Sequence, residues 1–161
     1  MKKNTNRILY LLLIIFVGYT QFPLIKNSLK QTDKNLQPLT LQSLDGSPYI
    51  FPTSKKEIVI YWATWCGPCH IQLSLMDKVI RDNRLKERIL AISVGEPISD
   101  VLRFLKKNPL PFKVLIDSDN QIRSQLNILA TPSLAIIDKE NRVEYFTTGI
   151  SLTFPLRALF Y

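Results

Sequence analysis

Residues 57–63, Glu-Ile-Val-Ile-Tyr-Trp-Ala, form a continuous apolar, β-branched and aromatic run that stops at Thr64-Trp65 and gives way at once to Cys66-Gly67-Pro68-Cys69. A run without polar alternation suits a strand buried on both faces, which needs neighbouring strands beside it and layers above and below it. Leu73, Met76, Val79 and Ile80 then recur at spacings of three and four, so a helix is expected from near Cys66 to about Arg84. The two cysteines therefore fall where a central strand turns into a helix.

The surrounding pattern builds on that unit. Leu39, Leu41 and Leu44 alternate, Asp45-Gly46 makes a turn and Tyr49 to Phe51 resume an apolar strand, which predicts an entry hairpin. Ile89 to Val94 and Phe112 to Ile116 read as strands, separated by a helix over Ser99 to Lys107. Gln121 to Leu126 allows a short helix. Ser133 to Ile137 and Arg142 to Thr148 form a second strand pair, and Leu152 to Phe160 a closing helix. A parallel start and a hairpin finish describe an α/β domain with a mixed central sheet and helices on both faces, spanning about 36–161.

The amino terminus stands apart. Lys2, Lys3 and Arg7 precede an apolar run from Ile8 to Tyr19, the order of an export signal. No alanine precedes Ala63, and Gly18 and Thr20 make a poor cleavage site, so residues 1–25 are expected to remain as an uncleaved membrane anchor. A helix over Ile8 to Ile25 would span about 27 Å at 1.5 Å per residue, enough for one pass through a thin bilayer. Residues 26–35 are polar and basic and are expected to form a tether. A chain of 161 residues with a net charge of +8 holds one such domain; its basic residues are scattered rather than blocked, which disfavours nucleic acid as a partner.

With two cysteines and one histidine, cysteine chemistry must come from a single pair. A sulfur at a helix amino terminus lies beside unpaired N–H groups and the positive end of the helix dipole, which stabilise a thiolate. Cys66 is accordingly the expected nucleophile, and Cys69, one turn further in, the resolving thiol. Pro68 fits the first helical turn, where its missing N–H costs nothing, and Gly67 leaves the approach to sulfur open. Trp65 is expected beside the site; Trp62 suits a place under the site or in the core equally well.

Trp62-Ala63-Thr64-Trp65-Cys66-Gly67-Pro68-Cys69 together with Ala130-Thr131-Pro132 resembles the thioredoxin superfamily. The anchor, the hairpin and Thr147-Thr148-Gly149 before a short helix resemble its exported TlpA-like group, and within it the suppressor-of-copper-sensitivity protein D type of protein disulfide oxidoreductase. The resemblance implies a thioredoxin fold and thiol–disulfide exchange without a dissociable cofactor. It implies cysteine-containing exported proteins as clients, bound by Trp65, Gly67, Pro68, Thr131 and Pro132, with the bond before Pro132 cis. It further implies a membrane thiol reductase as electron donor and a single-pass inner-membrane protein with its domain in the periplasm. Two departures stand out: Ile60 occupies the place where many thioredoxins bury an acid, and Gln72 that of a glutamate common in the exported group.

Two other chemistries share parts of the pattern. Cys66-Gly67-Pro68-Cys69-His70 matches c-type haem attachment, but Met76 lies too near His70 on one helix to reach the opposite axial position. The thiol pair could also bind Cu(I), although no methionine-rich or histidine-rich stretch accompanies it. Helix spacing sends His70 away from the sulfurs, so it stands outside the expected catalytic set.

Overall fold

The computed structural model describes residues 2–160, without the side chains of residues 2–6, 9, 21 and 83. The order of elements is α1 (Lys2–Gln31), β1 (Leu39–Ser43), β2 (Pro48–Phe51), β3 (Glu57–Trp62), α2 (Gly67–Val79), α3 (Asn83–Lys86), β4 (Ile89–Ser93), α4 (Ile98–Lys107), β5 (Lys113–Ile116), α5 (Gln121–Gln125), β6 (Ser133–Ile137), β7 (Val143–Thr148) and α6 (Phe154–Leu159). Among the described residues, the strands form one sheet in the order β2-β1-β5-β4-β3-β6-β7. β3, β4 and β5 are parallel, β6 and β7 run antiparallel to their neighbours, and the entry hairpin joins through β1 against β5. This is the mixed sheet expected from the sequence.

Alternate residues of the central strands feed two cores. Ile58, Ile60 and Trp62 of β3 point into a layer closed by Leu73 and Met76 of α2, Val101 of α4 and Phe154 and Ala158 of α6. Val59 and Tyr61 point the other way, against Leu39, Leu41 and Phe51 of the hairpin and Ile122 and Leu126 by α5. All six residues of β3 are buried, so neither face could tolerate a polar side chain without a partner. On the second face Tyr61 has one: its hydroxyl donates to Asp117 Oδ2 at 3.0 Å. The same carboxylate accepts from the backbone N–H groups of Gln121, Ile122 and Arg123 at 2.7, 3.3 and 3.1 Å, capping α5. Burial, then the Asp117 charge, push the Tyr61 hydroxyl above its ordinary range and keep it a donor.

Two segments depart from expectation. α2 stops at Val79 rather than near Arg84: Ile80 turns to extended backbone and is fully buried, while its N–H still closes on Met76 O. Burying that side chain draws the chain off the helix axis, and Asp82 starts the separate turn α3 by accepting from Arg84 N at 2.8 Å.

Residues 26–35, expected as a tether, are helical through Gln31 and lie on the domain. Asn27 Nδ2 donates to Asn127 O, and Asn127 Nδ2 donates back to Asn27 Oδ1, each at 3.0 Å. Gln31 Nε2 adds a second donor to Asn27 Oδ1 at 3.2 Å. The chain then runs beside β7, with Asp33 N to Val143 O at 2.8 Å, Val143 N to Lys34 O at 2.9 Å and Leu36 N to Asn141 O at 2.8 Å. Buried amides seek partners wherever they can be had: Asn27 finds them in Gln31 Nε2 and in the loop after α5, while Gln31 Oε1 has none among the described residues.

Asp117 thus joins the strand layer to α5. Asp117→Ala should lower the unfolding free energy of the full chain in detergent by about 2–4 kcal/mol, because it strands the Tyr61 hydroxyl and uncaps α5 together. Tyr61→Phe, which leaves three backbone donors on the carboxylate, should cost about 1 kcal/mol in the same urea titration.

Candidate active site

β3 delivers the chain to a turn in which Cys66 N–H closes on Ala63 O at 3.2 Å, and Cys66 then becomes the N-cap of α2. Its Sγ accepts from Cys69 N at 3.2 Å, the role an oxygen plays at most helix starts. Pro68 falls within the first turn, as expected. Cys66 and Cys69 are joined by a disulfide with their Cα atoms 5.2 Å apart, so the site is in its oxidised form. Cys66 is 5% exposed and Cys69 0%, which gives the first sulfur the only route to solvent within the pair but a narrower one than the sequence suggested. Gly67 and Pro68 are exposed beside it.

The two tryptophans part company. Trp65 is 73% exposed, whereas Trp62 is 0% exposed and its ring meets Phe104 of α4 at 5.1 Å. Trp62 therefore belongs to the core beneath the site, and Trp65 to the surface around it.

The register of β3 against β6 brings the second motif to the cysteines. Tyr61 faces Ser133, so Thr131-Pro132 lies across from the residues that lead into Cys66. The Thr131–Pro132 bond is cis, as the family resemblance implied, and a second cis bond at Phe51–Pro52 carried no signal that we read in the sequence. Gly149 N–H donates to Pro132 O at 2.7 Å, with Gly149 at φ +92°, a conformation that favours glycine. Thr131 and Trp65 line one shallow recess together with Leu129 and Arg123. The cysteine pair, the exposed indole and the cis-proline loop thus share one end of the sheet.

Around them lie groups that were given no role in the sequence reading. Glu96, in the loop after β4, accepts from Thr64 N at 3.0 Å and from Thr64 Oγ1. His70, read as a solvated helix residue, is half-buried: its Nε2 bonds Thr64 O at 2.9 Å and its ring lies 4.7 Å from that of Phe104. Gln72 is fully buried; its Oε1 accepts from Ser151 N at 2.8 Å, while its Nε2 has no hydrogen-bond partner among the described residues. Ile60 faces the first core layer. Neither of these last two positions offers a carboxylate to Cys69.

Residues 25–146 match the model of the AhpC/TSA family. The chain belongs to this family. It is 26% identical over 147 residues to the thiol-disulfide oxidoreductase ResA of Geobacillus thermodenitrificans, covering 88% of this chain and 84% of that protein. It is 27% identical over 149 residues to the thioredoxin-like protein YneN of Bacillus subtilis, covering 86% and 87%. Among solved structures, a putative thiol:disulfide interchange protein DsbE from Chlorobium tepidum superposes with a TM-score of 0.66 at 19% identity, covering 80% of this chain and 95% of that one. StoA of Bacillus subtilis superposes with a TM-score of 0.61 at 20% identity, covering 78% and 97%. These structural likenesses establish the thioredoxin fold. With the family, the relatives and the cysteine pair at disulfide distance, the chain is a thiol–disulfide oxidoreductase carrying a redox-active disulfide.

Gln72 gives a direct test of how dry the interior behind the pair is. In Gln72→Glu the acceptor for Ser151 N remains, but burial should raise the new carboxyl's folded pKa above its unfolded value near 4.3. The variant should match its parent below about pH 4 and lose about 1–3 kcal/mol as pH climbs through the interval between the two values. Thermal unfolding from pH 4 to 8 reads this out; a loss independent of pH would mean that water reaches the side chain.

Proposed function

We propose that this protein reduces or rearranges disulfides in exported proteins from the outer face of a cell membrane, with Cys66 as nucleophile and Cys69 as resolving thiol. The observation that carries this reading is the position of Cys66: it caps α2, its sulfur accepts the Cys69 N–H, and it alone of the pair retains access to solvent. In the dithiol form the Cys66 thiolate attacks one sulfur of a client disulfide and expels the other as a thiolate, which takes a proton. Cys69 then gives up its proton and attacks Cys66 Sγ, releasing the second client thiol and closing the Cys66–Cys69 bond. Two electrons have passed to the client, and a dithiol donor must return them.

Trp65, Gly67, Pro68, Thr131 and Pro132 surround the sulfur and are suited to hold the client. The indole and the recess at Leu129 offer apolar contact, and the Thr131 backbone can pair with an extended segment. Membrane residence is supported by α1, whose stretch Tyr10–Gln31 is long and apolar enough to cross a bilayer. Ile8, Leu11 to Phe16 and Phe22 are exposed along it, whereas Asn27 and Gln31 are buried against the domain, which supports an anchor that ends near Ile25. A membrane thiol reductase is the fitting electron donor for a domain held outside the cytoplasm, where reduced pairs otherwise drift to the oxidised state.

Cys69→Ser should trap mixed disulfides with client proteins in the membrane fraction, visible as slower bands on non-reducing gels, whereas Cys66→Ser should trap none. Equal trapping by both variants would remove the assignment of nucleophile.

The Gly-Pro pair between the cysteines adds no side-chain charge or hydrogen bond to favour a thiolate. The potential should therefore lie nearer the thioredoxin value of about −270 mV than the strongly oxidising value of about −120 mV. Equilibration with glutathione buffers measures it, and a value above about −180 mV would make the protein an oxidant of its clients instead.

A further inference from the structure

We propose that Glu96 sets the redox equilibrium of the Cys66–Cys69 pair by holding Thr64, two residues ahead of the nucleophile, with a fixed negative charge. This rests on the exchange chemistry proposed above and adds a positioning residue to it.

Thr64 is gripped on every polar atom. Its N–H donates to Glu96 Oε1 at 3.0 Å and its hydroxyl donates to Glu96 Oε2, while its carbonyl oxygen meets His70 Nε2 at 2.9 Å. The two grips come from different elements: His70 lies on α2 with its ring against Phe104 of α4, and Glu96 lies in the β4–α4 loop. Glu96 is in turn located by two contacts. Ser93 Oγ donates to its Oε1 at 3.1 Å, and the preceding Gly95 lies so close to the end of β5 that a Cβ there would stand 3.0 Å from Ser118 O and 3.2 Å from Asp117 O. A Cβ there would have to push that backbone back by a few tenths of an ångström, so glycine suits the approach next to the residue that bonds Thr64. The turn carrying Trp65 and Cys66 is thereby fixed between α2 and the sheet.

The charge matters as well as the geometry. Ile60 and Gln72 supply none, and the buried Asp117 carboxylate is occupied by four donors on the other face of the sheet. A half-buried carboxylate bonded to the turn before Cys66 opposes a thiolate forming there, against the favourable amino terminus of α2. Opposing the thiolate weakens the reduced form and makes the pair more reducing.

Glu96→Gln separates charge from grip. Its Oε1 can still accept from Thr64 N and Ser93 Oγ, and its Nε2 can donate to a rotated Thr64 hydroxyl. Glu96→Ala loses both. The full-length protein in detergent micelles is equilibrated against a glutathione series, and the dithiol fraction is read by thiol alkylation. Glu96→Gln should shift the equilibrium constant toward the dithiol by about three- to tenfold, tenfold being about 30 mV, and the rate of disulfide reduction per dithiol should not fall, because the thiolate fraction rises. Glu96→Ala should shift it in the same direction and also slow reduction, because the turn is released. A Glu96→Gln constant within twofold of the parent, or shifted toward the disulfide, overturns the proposal while leaving the exchange chemistry intact. A parent pair that does not equilibrate with glutathione at all overturns the exchange reading, and this inference with it.

Discussion

The complete burial of β3 is the constraint from which the rest of the molecule follows. Six consecutive buried residues need a strand on each side and a layer on each face, and the fold supplies β4, β6, the α2/α4/α6 layer and the hairpin with α5. A strand so enclosed can meet solvent only at its ends. At its carboxyl end the chain must turn abruptly, and the first residue able to start the covering helix is Cys66. The first cysteine is therefore located by packing: the same burial that stabilises the domain presents Cys66 just past the carboxyl end of a central strand, with Cys69 sealed beneath it.

Several polar groups near this end are tied to backbone. Glu96 and His70 both serve Thr64, Gly149 serves Pro132, and Gln72 serves Ser151. Such bonds to backbone set the path of loops that no strand or helix would otherwise fix. The cost of this economy is visible at Gln72 Nε2 and Trp62 Nε1, two buried donors without a partner among the described residues. Both lie in the layer under the cysteines, where an apolar environment disfavours additional charge.

What the sequence revealed, and what it hid, divides along the range of the interactions. The strand run 57–63, the Cys66-to-Cys69 turn and the 39–51 hairpin are written in local patterns, and each was legible to within a residue or two. The end of α2 was misplaced because Ile80 continues the helical spacing of apolar residues while its burial requires an extended backbone. Glu96 was passed over because its role depends on a loop packing 32 residues away from Thr64 in sequence, and a lone glutamate beside a proline carries no pattern. The polar stretch after Ile25 misled for a similar reason: Asn27 and Gln31 look solvated until Asn127, 100 residues on, is brought to meet them. Period and spacing describe what an element does along its own axis, and say little about amides that are satisfied across the fold.

That amide junction has a mechanical consequence. A redox domain on a flexible leash would sweep a hemisphere of solution, whereas here the last turns of α1 are clasped by Asn127 and then sewn to β7, and Asn127 lies only four residues before Thr131. Held in this way, a rigid helix would act as a mast: tilt or rotate it, and the cis-proline loop and the disulfide would turn with it. With α1 seated in a bilayer, the disulfide would patrol a thin slab at fixed height, exchanging a search in three dimensions for one in two. Partners held in the same sheet of lipid would then meet it far more often than their bulk concentration implies, and soluble ones would gain no such advantage.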